Sequence, residues 1–148
     1  MAVTENNATI GFHDAMVFPQ TPELIIPFST NYILNGSSIS HVPGNSSIVL
    51  QSGVYAINYT YQVVDPSATN HWLTMLVFLD DAPLPLLNGN AGTTTSDNMG
   101  NSTGFGFATG ITTAQNSQAL NFRARGTDFP FPGDAFYRFF SVMIVQLI

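Results

Sequence analysis

The stretch Gly53 to Val64, GVYAINYTYQVV, restricts the fold more than any other part of the chain. Tyr55, Ile57, Tyr59, Tyr61 and Val63 fall on one face of a two-residue period, and Ala56, Asn58, Thr60 and Gln62 on the other. Large aromatic and β-branched side chains opposite small or polar ones describe a strand with one face in a core, and no helical period fits them. Pro43-Gly44-Asn45 makes a turn ahead of it, Ile48 to Leu50 is a short apolar strand, and Ser52-Gly53 separates the two.

The rest of the chain is written in the same style. Residues 1–9 read as a flexible polar tail, and Ile10 to Phe18 as a strand with Phe12, Asp14, Met16 and Phe18 on one side, stopped by Pro19 and Pro22. Leu24 to Phe28 is a second apolar piece. Tyr32 to Leu34 and Ser38 to Val42 flank Asn35-Gly36, a tight-turn signal. Trp72 to Leu79 is apolar on both faces, the pattern of a strand covered twice. Asn88 to Thr103 is a Gly-, Asn-, Ser- and Thr-rich loop of a length associated with mobility or function.

In Gly104 to Ile111, Phe105, Phe107, Thr109 and Ile111 oppose Gly104, Gly106, Ala108 and Gly110, so something large must pack on the small face. Ala119 to Arg125 places Leu120, Phe122 and Ala124 inward and Asn121, Arg123 and Arg125 outward, and Phe129 to Gly133 forms a turn. The closing strand, Phe136 to Leu147, sets Phe136, Phe140, Val142 and Ile144 against Tyr137, Phe139, Met143, Val145 and Leu147. Apolar on both sides, it is expected in the centre of the sheet that holds Gly53 to Val64. Short strands, turns and no amphipathic helix predict an all-β chain of roughly eight to ten strands, an antiparallel sandwich or barrel, forming one domain over residues 10–148.

Composition limits function. Only 8% of residues are charged, against roughly 25% in an ordinary soluble domain. There is no lysine, and Arg123, Arg125 and Arg138 are the only formal cations. A net charge of -6 offers no counterion release to a phosphate backbone, which argues against nucleic acid as a partner. The absence of cysteine excludes disulfides, zinc-thiolate sites and cysteine nucleophiles. No apolar run approaches a membrane span and no secretory signal is visible in these residues, so membrane insertion is not expected. Abundant Asn, Ser and Thr with no lysine suit a surface facing the outside of a cell or particle.

Chemical motifs are sparse. Gly100-Asn-Ser102-Thr-Gly104 matches the nucleophile-elbow pattern, but it lies in a polar loop, precedes a strand rather than a helix, and has no later histidine. Gly104, Gly106 and Gly110 miss the dinucleotide fingerprint and open no helix. Asp80 and Asp81 have the hard oxygens calcium uses, but too few of them, and read as a solvated turn. His13, His41 and His71 lack a metal spacing. No catalytic residue, cofactor or metal is assigned, and the chain is expected not to be an enzyme. Arg123 and Arg125 share one strand face, which suits either an acidic ligand or glycan, or pairing with Asp or Glu of the same or a neighbouring subunit; pairing is the expected role.

The segments PGNSSIVLQSGVYAINYTYQV and HWLTMLVFLDDAP resemble the jelly-roll head shared by the complement first-component globular domain and the tumour necrosis factor (TNF) ligands. The closing AFYRFFSVMIVQLI is similar to the last strand of the C-terminal heads of Bacillus collagen-like spore-surface (exosporium) proteins. No Gly-X-Y repeat stands ahead of the head in these residues, and no receptor-binding loop motif transfers. The resemblance implies an all-β antiparallel β-sandwich jelly roll of about ten strands and a TNF-like homotrimer, the non-enzymatic head of a collagen-like stalk or surface filament that nucleates trimer assembly and displays an outer surface, located extracellularly or on a spore; the other reading is a receptor- or carbohydrate-binding jelly-roll module such as a fibre tip. Surplus apolar surface on the closing strand points the same way, because exposed Phe and Leu invite association. The expected trimer contacts are Tyr55, Tyr59, Tyr61, Arg123, Arg125, Tyr137, Phe139 and Met143.

Overall fold

The computed structural model describes residues 5–14, 16–17, 24–66, 72–92, 95–96, 100–126 and 136–148. In chain order the strands are β1 (Asn7–Phe12), β2 (Met16–Val17), β3 (Leu24–Ile25), β4 (Thr30–Asn35), β5 (Ile39–Ser40), β6 (Ile48–Leu50), β7 (Gly53–Asp65), β8 (Trp72–Leu79), β9 (Ala82–Pro83), β10 (Gly89–Gly92), β11 (Thr95–Ser96), β12 (Ser102–Ala114), β13 (Gln118–Gly126) and β14 (Phe136–Gln146). A 3-10 turn, Pro85–Leu87, lies between β9 and β10. Two antiparallel seven-stranded sheets pack face to face. One has the order β11-β12-β7-β14-β1-β4 with β2 on β14; the other has β10-β8-β13-β6-β5 with β3 on β13 and β9 on β8.

The alternation of β7 holds throughout its core face: Tyr55, Ile57, Tyr59, Tyr61 and Val63 have no exposed surface. They meet Leu73, Met75, Val77 and Leu79 of β8 and Leu120, Phe122 and Ala124 of β13, all buried. β14 is central, between β7 and β1, as its composition predicts. Its two faces, however, do not follow simple alternation. The register with β7 shifts between Tyr137 and Phe139, so Arg138 is an extra residue. That β-bulge moves Tyr137 to the core face with Phe140, Val142 and Ile144, and sends Phe139, Met143, Val145 and Leu147 outward.

The glycine face of β12 is the inner one. A Cβ on Gly106 would stand 2.2 Å from Cζ of Tyr61, and one on Gly110 would stand 2.8 Å from Cδ2 of Leu87, so the large neighbours expected there are Tyr61 and Leu87.

Four other expectations change. β1 starts at Asn7, within the segment read as a tail, because Asn7 to Phe12 hydrogen-bonds to β14 on one side and to β4 on the other. The strand read over Ile10 to Phe18 stops at Phe12, with Asp14 in an exposed bend; Phe18, Pro19 and Pro22 lie outside the described residues. Asn35-Gly36 does not close a hairpin. Gly36 (φ +79°) turns the chain from the β7 sheet to the β8 sheet, and Oδ1 of Asn6 accepts hydrogen bonds from the backbone N–H groups of Ser37 and Ser38. Among the described residues no second layer covers the outer face of β8: Trp72 is half exposed and Thr74, Leu76 and Phe78 are partly so.

The region read as a loop after Asn88 contains β10 and β11. His71 and the Phe129 to Gly133 turn fall outside the described residues.

Candidate functional site

The cross-strand registers place the outward side chains of the β7 sheet in rows. Ile111, Ala56, Val145 and Asn7 lie abreast on β12, β7, β14 and β1; the next row is Thr109, Asn58, Met143, Thr9 and Ile33; then Phe107, Thr60, Ser141 and Gly11. The following row brings Phe105, Gln62 and Phe139 together. The face is therefore ribbed. An apolar rib on β12 and another on β14 run either side of a small and polar column on β7.

The ribs are solvent-exposed in the isolated chain. Phe107 is 76% exposed, Ile111 65%, Phe105 61% and Met143 51%, with Val145, Leu147 and Ile33 each close to half. A register shift on β4 turns Tyr32 outward beside Ile33, and a line of rings then crosses the sheet: Phe105 to Phe139 at 6.4 Å, Phe139 to His13 at 6.4 Å, and His13 to Tyr32 at 5.1 Å. Contiguous apolar surface of this kind on an acidic chain makes this face the candidate interaction surface.

Charge is distributed to match. The strands of the β7 sheet contain two charged residues, Asp65, which is buried, and Arg138. No aspartate, glutamate, lysine or arginine occurs from Leu24 to Val64.

Of the residues expected to form subunit contacts, Phe139 and Met143 lie on this face. Tyr55, Tyr59, Tyr61 and Tyr137 do not: each is fully buried between the sheets and has no surface to offer a neighbour. The size asymmetry that identifies their face as apolar also drives it into the protomer's own core. The hydroxyl of Tyr59 donates to the carbonyl of Leu87 at 2.5 Å, and that of Tyr55 to the carbonyl of Gln51 at 2.9 Å. Arg123 and Arg125 also miss the face, since they point outward from the opposite sheet. Arg123 forms a salt bridge with Asp81 and lies 4.1 Å over the Phe78 ring, so it is paired within the chain.

Phe105, Phe107, Ile111, Val145 and Leu147 also lie on this face and are not among the expected contacts. Their signal was the glycine face of β12: once it is inside, the phenylalanines must be outside.

Desolvation pushes the pKa of Tyr59 and Tyr61 well above that of a free phenol, and that of Tyr137 likewise. These groups stay protonated in the folded chain after the unfolded chain has begun to ionise near pH 10. Their contribution is thus complete below about pH 10 and lost above it, at up to about 1.4 kcal/mol per pH unit for each tyrosine. Urea midpoints should be level between pH 8 and 9.5 and fall steeply beyond. A rise above pH 10 would show that the phenols are not buried.

The other candidates sit in a turn, at a strand start and in a connection between strands. Asp80 (φ +46°) and Asp81 (φ +63°) form the two-residue turn between β8 and β9, where Oδ1 of Asp80 accepts from the Ala119 N–H at 2.7 Å. Ser102 is buried at the start of β12, opposite Asp65, and the chain continues as strand rather than turning into a helix. His41 is buried where β4 meets the β5–β6 connection; Nδ1 lies 2.5 Å from Oδ1 of Asn31 and Nε2 3.0 Å from the Asn45 carbonyl.

No family model matches the sequence, and no curated protein resembles it in sequence. The fold does have solved counterparts. Crystal structures of murine APRIL at pH 8.0 and pH 8.5 superpose with TM-scores of 0.54 and 0.56 at 8% identity, each spanning 95% of this chain and 99% of that chain. At such identity the likeness concerns architecture, and the chain has an all-β, TNF-like jelly-roll fold.

Proposed function

We propose that this chain is a non-enzymatic, trimerising globular head of an extracellular stalk or surface filament, of the kind found on collagen-like spore-surface proteins. The observation that supports assembly is the outward face of the β7 sheet: two apolar ribs with almost no charge, on a chain of net charge -6. An acidic protein meets its own copy most readily where neither copy carries charge. Each Phe, Leu or Met removed from water adds about 1.5–3 kcal/mol to such a contact.

The layout of the sheet supports attachment to a stalk at one end. Asn7 at the start of β1 lies opposite Val145 near the end of β14, and Asn6 donates to Oε1 of Gln146 at 2.7 Å. The first and last strands therefore meet at one pole, while Asp65, Ser102 and Phe136 mark the other. A stalk joined at the N-terminal pole leaves the distal pole outermost.

Light scattering coupled to size exclusion should report about three times the chain mass of 16.0 kDa at micromolar concentration. A stable monomer would sink the trimer and the stalk-head function together.

A further inference from the structure

The chain has two Asn-Gly pairs, and the fold treats them differently. In such a pair the glycine nitrogen has no side chain to shield it, and it can close a five-membered ring on the asparagine Cγ. Asn88-Gly89 is held away from that reaction. Oδ1 of Asn88 accepts from the Val77 N–H at 3.2 Å, the Asn88 backbone is extended (φ -69°, ψ 135°), and Gly89 is buried in the β10–β8 ladder. Asn35-Gly36 is open. Both residues are exposed, the β1–β4 ladder ends at the pair Asn7 and Asn35, and Gly36 lies past it in a bend with φ +79°. Nδ2 of Asn35 donates to Oδ1 of Asn7 at 3.1 Å, a contact that leaves Cγ uncovered. The glycine is itself required: besides its positive φ, a Cβ there would stand 1.9 Å from Oδ1 of Asn6.

We propose that Asn35-Gly36 is a self-modification site, at which the folded chain converts asparagine into aspartate and isoaspartate. The Gly36 nitrogen gives its proton to hydroxide and bonds to Cγ of Asn35, and the side-chain nitrogen leaves as ammonia. One water then opens the succinimide. Cleavage of the new bond to Cγ gives aspartate, whereas cleavage of the bond to the Asn35 main-chain carbonyl carbon gives isoaspartate, whose main chain runs through Cβ and Cγ. The sum is amide plus water giving carboxylate plus ammonium, without oxidant, metal or enzyme. Either product puts a carboxylate into Leu24 to Val64, a segment that has no charged residue. Aspartate keeps the main-chain path. Isoaspartate lengthens it by a methylene between β4 and the turn, which draws the Ser37 and Ser38 N–H groups away from Oδ1 of Asn6. Asn6 also donates to Gln146, so the change loosens the pole where the first and last strands meet. The reaction needs only the folded chain and does not rest on the trimer.

Incubating the intact protein at mildly alkaline pH and mapping its peptic peptides by mass spectrometry follows both pairs at once. The Asn35-Gly36 peptide should become about 1 Da heavier and accept methyl groups from protein isoaspartate methyltransferase. It should do so at least about tenfold faster than the Asn88-Gly89 peptide, which reacts only when β10 opens locally. In urea the two pairs should react at equal rates. Asn35→Gln, whose ring closure would need six members, should leave the segment unchanged. Hydrogen exchange at Ser37 and Ser38 should quicken in the isoaspartate fraction and not in Asn35→Gln incubated beside it. Asn35 left unreacted in the folded protein, Asn88 keeping pace with it there, or unaltered exchange at Ser37 and Ser38 after conversion would each overturn the proposal. Particle mass, read separately, reports on the trimer and not on this site.

Discussion

Replacing Phe107 or Met143 with aspartate should convert the proposed trimer into folded monomers of 16.0 kDa. Both side chains are more than half exposed in the single chain, and they project from β12 and β14, the two apolar ribs. In water each substitution costs the protomer little. Within a subunit contact it removes about 1.5–3 kcal/mol of apolar burial and leaves a carboxylate without a partner, which adds about 3–5 kcal/mol. A trimer repeats that loss in every subunit. Circular dichroism should be unchanged, and Gln115→Asp, on an exposed turn, should keep the parent mass. Trimers persisting in both rib variants would place the interface elsewhere.

The core gives the opposite signature. Phe140 is fully buried on β14, and its ring lies within 6.1 Å of Phe12, Phe28, Tyr59, Tyr61, Phe122 and Tyr137. Those neighbours come from β1, the segment after β3, β7, β13 and β14 itself, so the ring joins both sheets. Phe140→Ala should therefore destabilise the protomer by about 3–5 kcal/mol, from lost transfer energy and the cavity left between residues that cannot all collapse inward. Against a typical total of about 5–15 kcal/mol, that is a third or more of the stability. The loss should appear in urea unfolding of the Phe107→Asp monomer as well as of the assembled protein. A change below about 1 kcal/mol would mean that the site repacks and the aromatic cluster is dispensable.

These substitutions separate two kinds of apolar residue that look alike in the sequence. Phe107 and Phe140 both sit in alternating strands of an aromatic-rich chain. Phe107 is outside because its strand's other face is glycine and alanine, shaped to admit Tyr61 and Leu87. Phe140 is inside because the bulge at Arg138 leaves it in phase with Tyr61 across the ladder.

Much of the fold was legible because strand alternation is a local property. The core face of β7 could be identified from five large side chains in a two-residue period, the core face of β13 from Leu120, Phe122 and Ala124, and the central place of β14 from apolar residues on both sides. The turn at Asp80-Asp81 was likewise readable, since two short polar residues between apolar strands tolerate positive φ. The candidate interface was only partly legible: Phe139 and Met143 were expected on it, but so were four tyrosines that the protomer buries.

Only the tertiary structure decided what depends on a second segment. Periodicity divides a strand into two faces without saying which partner covers either, so the tyrosines could be identified as buried but not as buried within one chain. A single extra residue at Arg138 reverses the facing of every side chain before it relative to those after it, and nothing local in AFYRFFSVM announces it. Gly36 turns the chain between sheets rather than into a hairpin because β4 and β5 find β1 and β6, strands distant from that turn in sequence, as their hydrogen-bonding partners. Register and facing are set by pairing between distant strands, and that pairing places the phenylalanines of β12 and the methionine and valine of β14 on the two sides of β7, on one face with almost no charge.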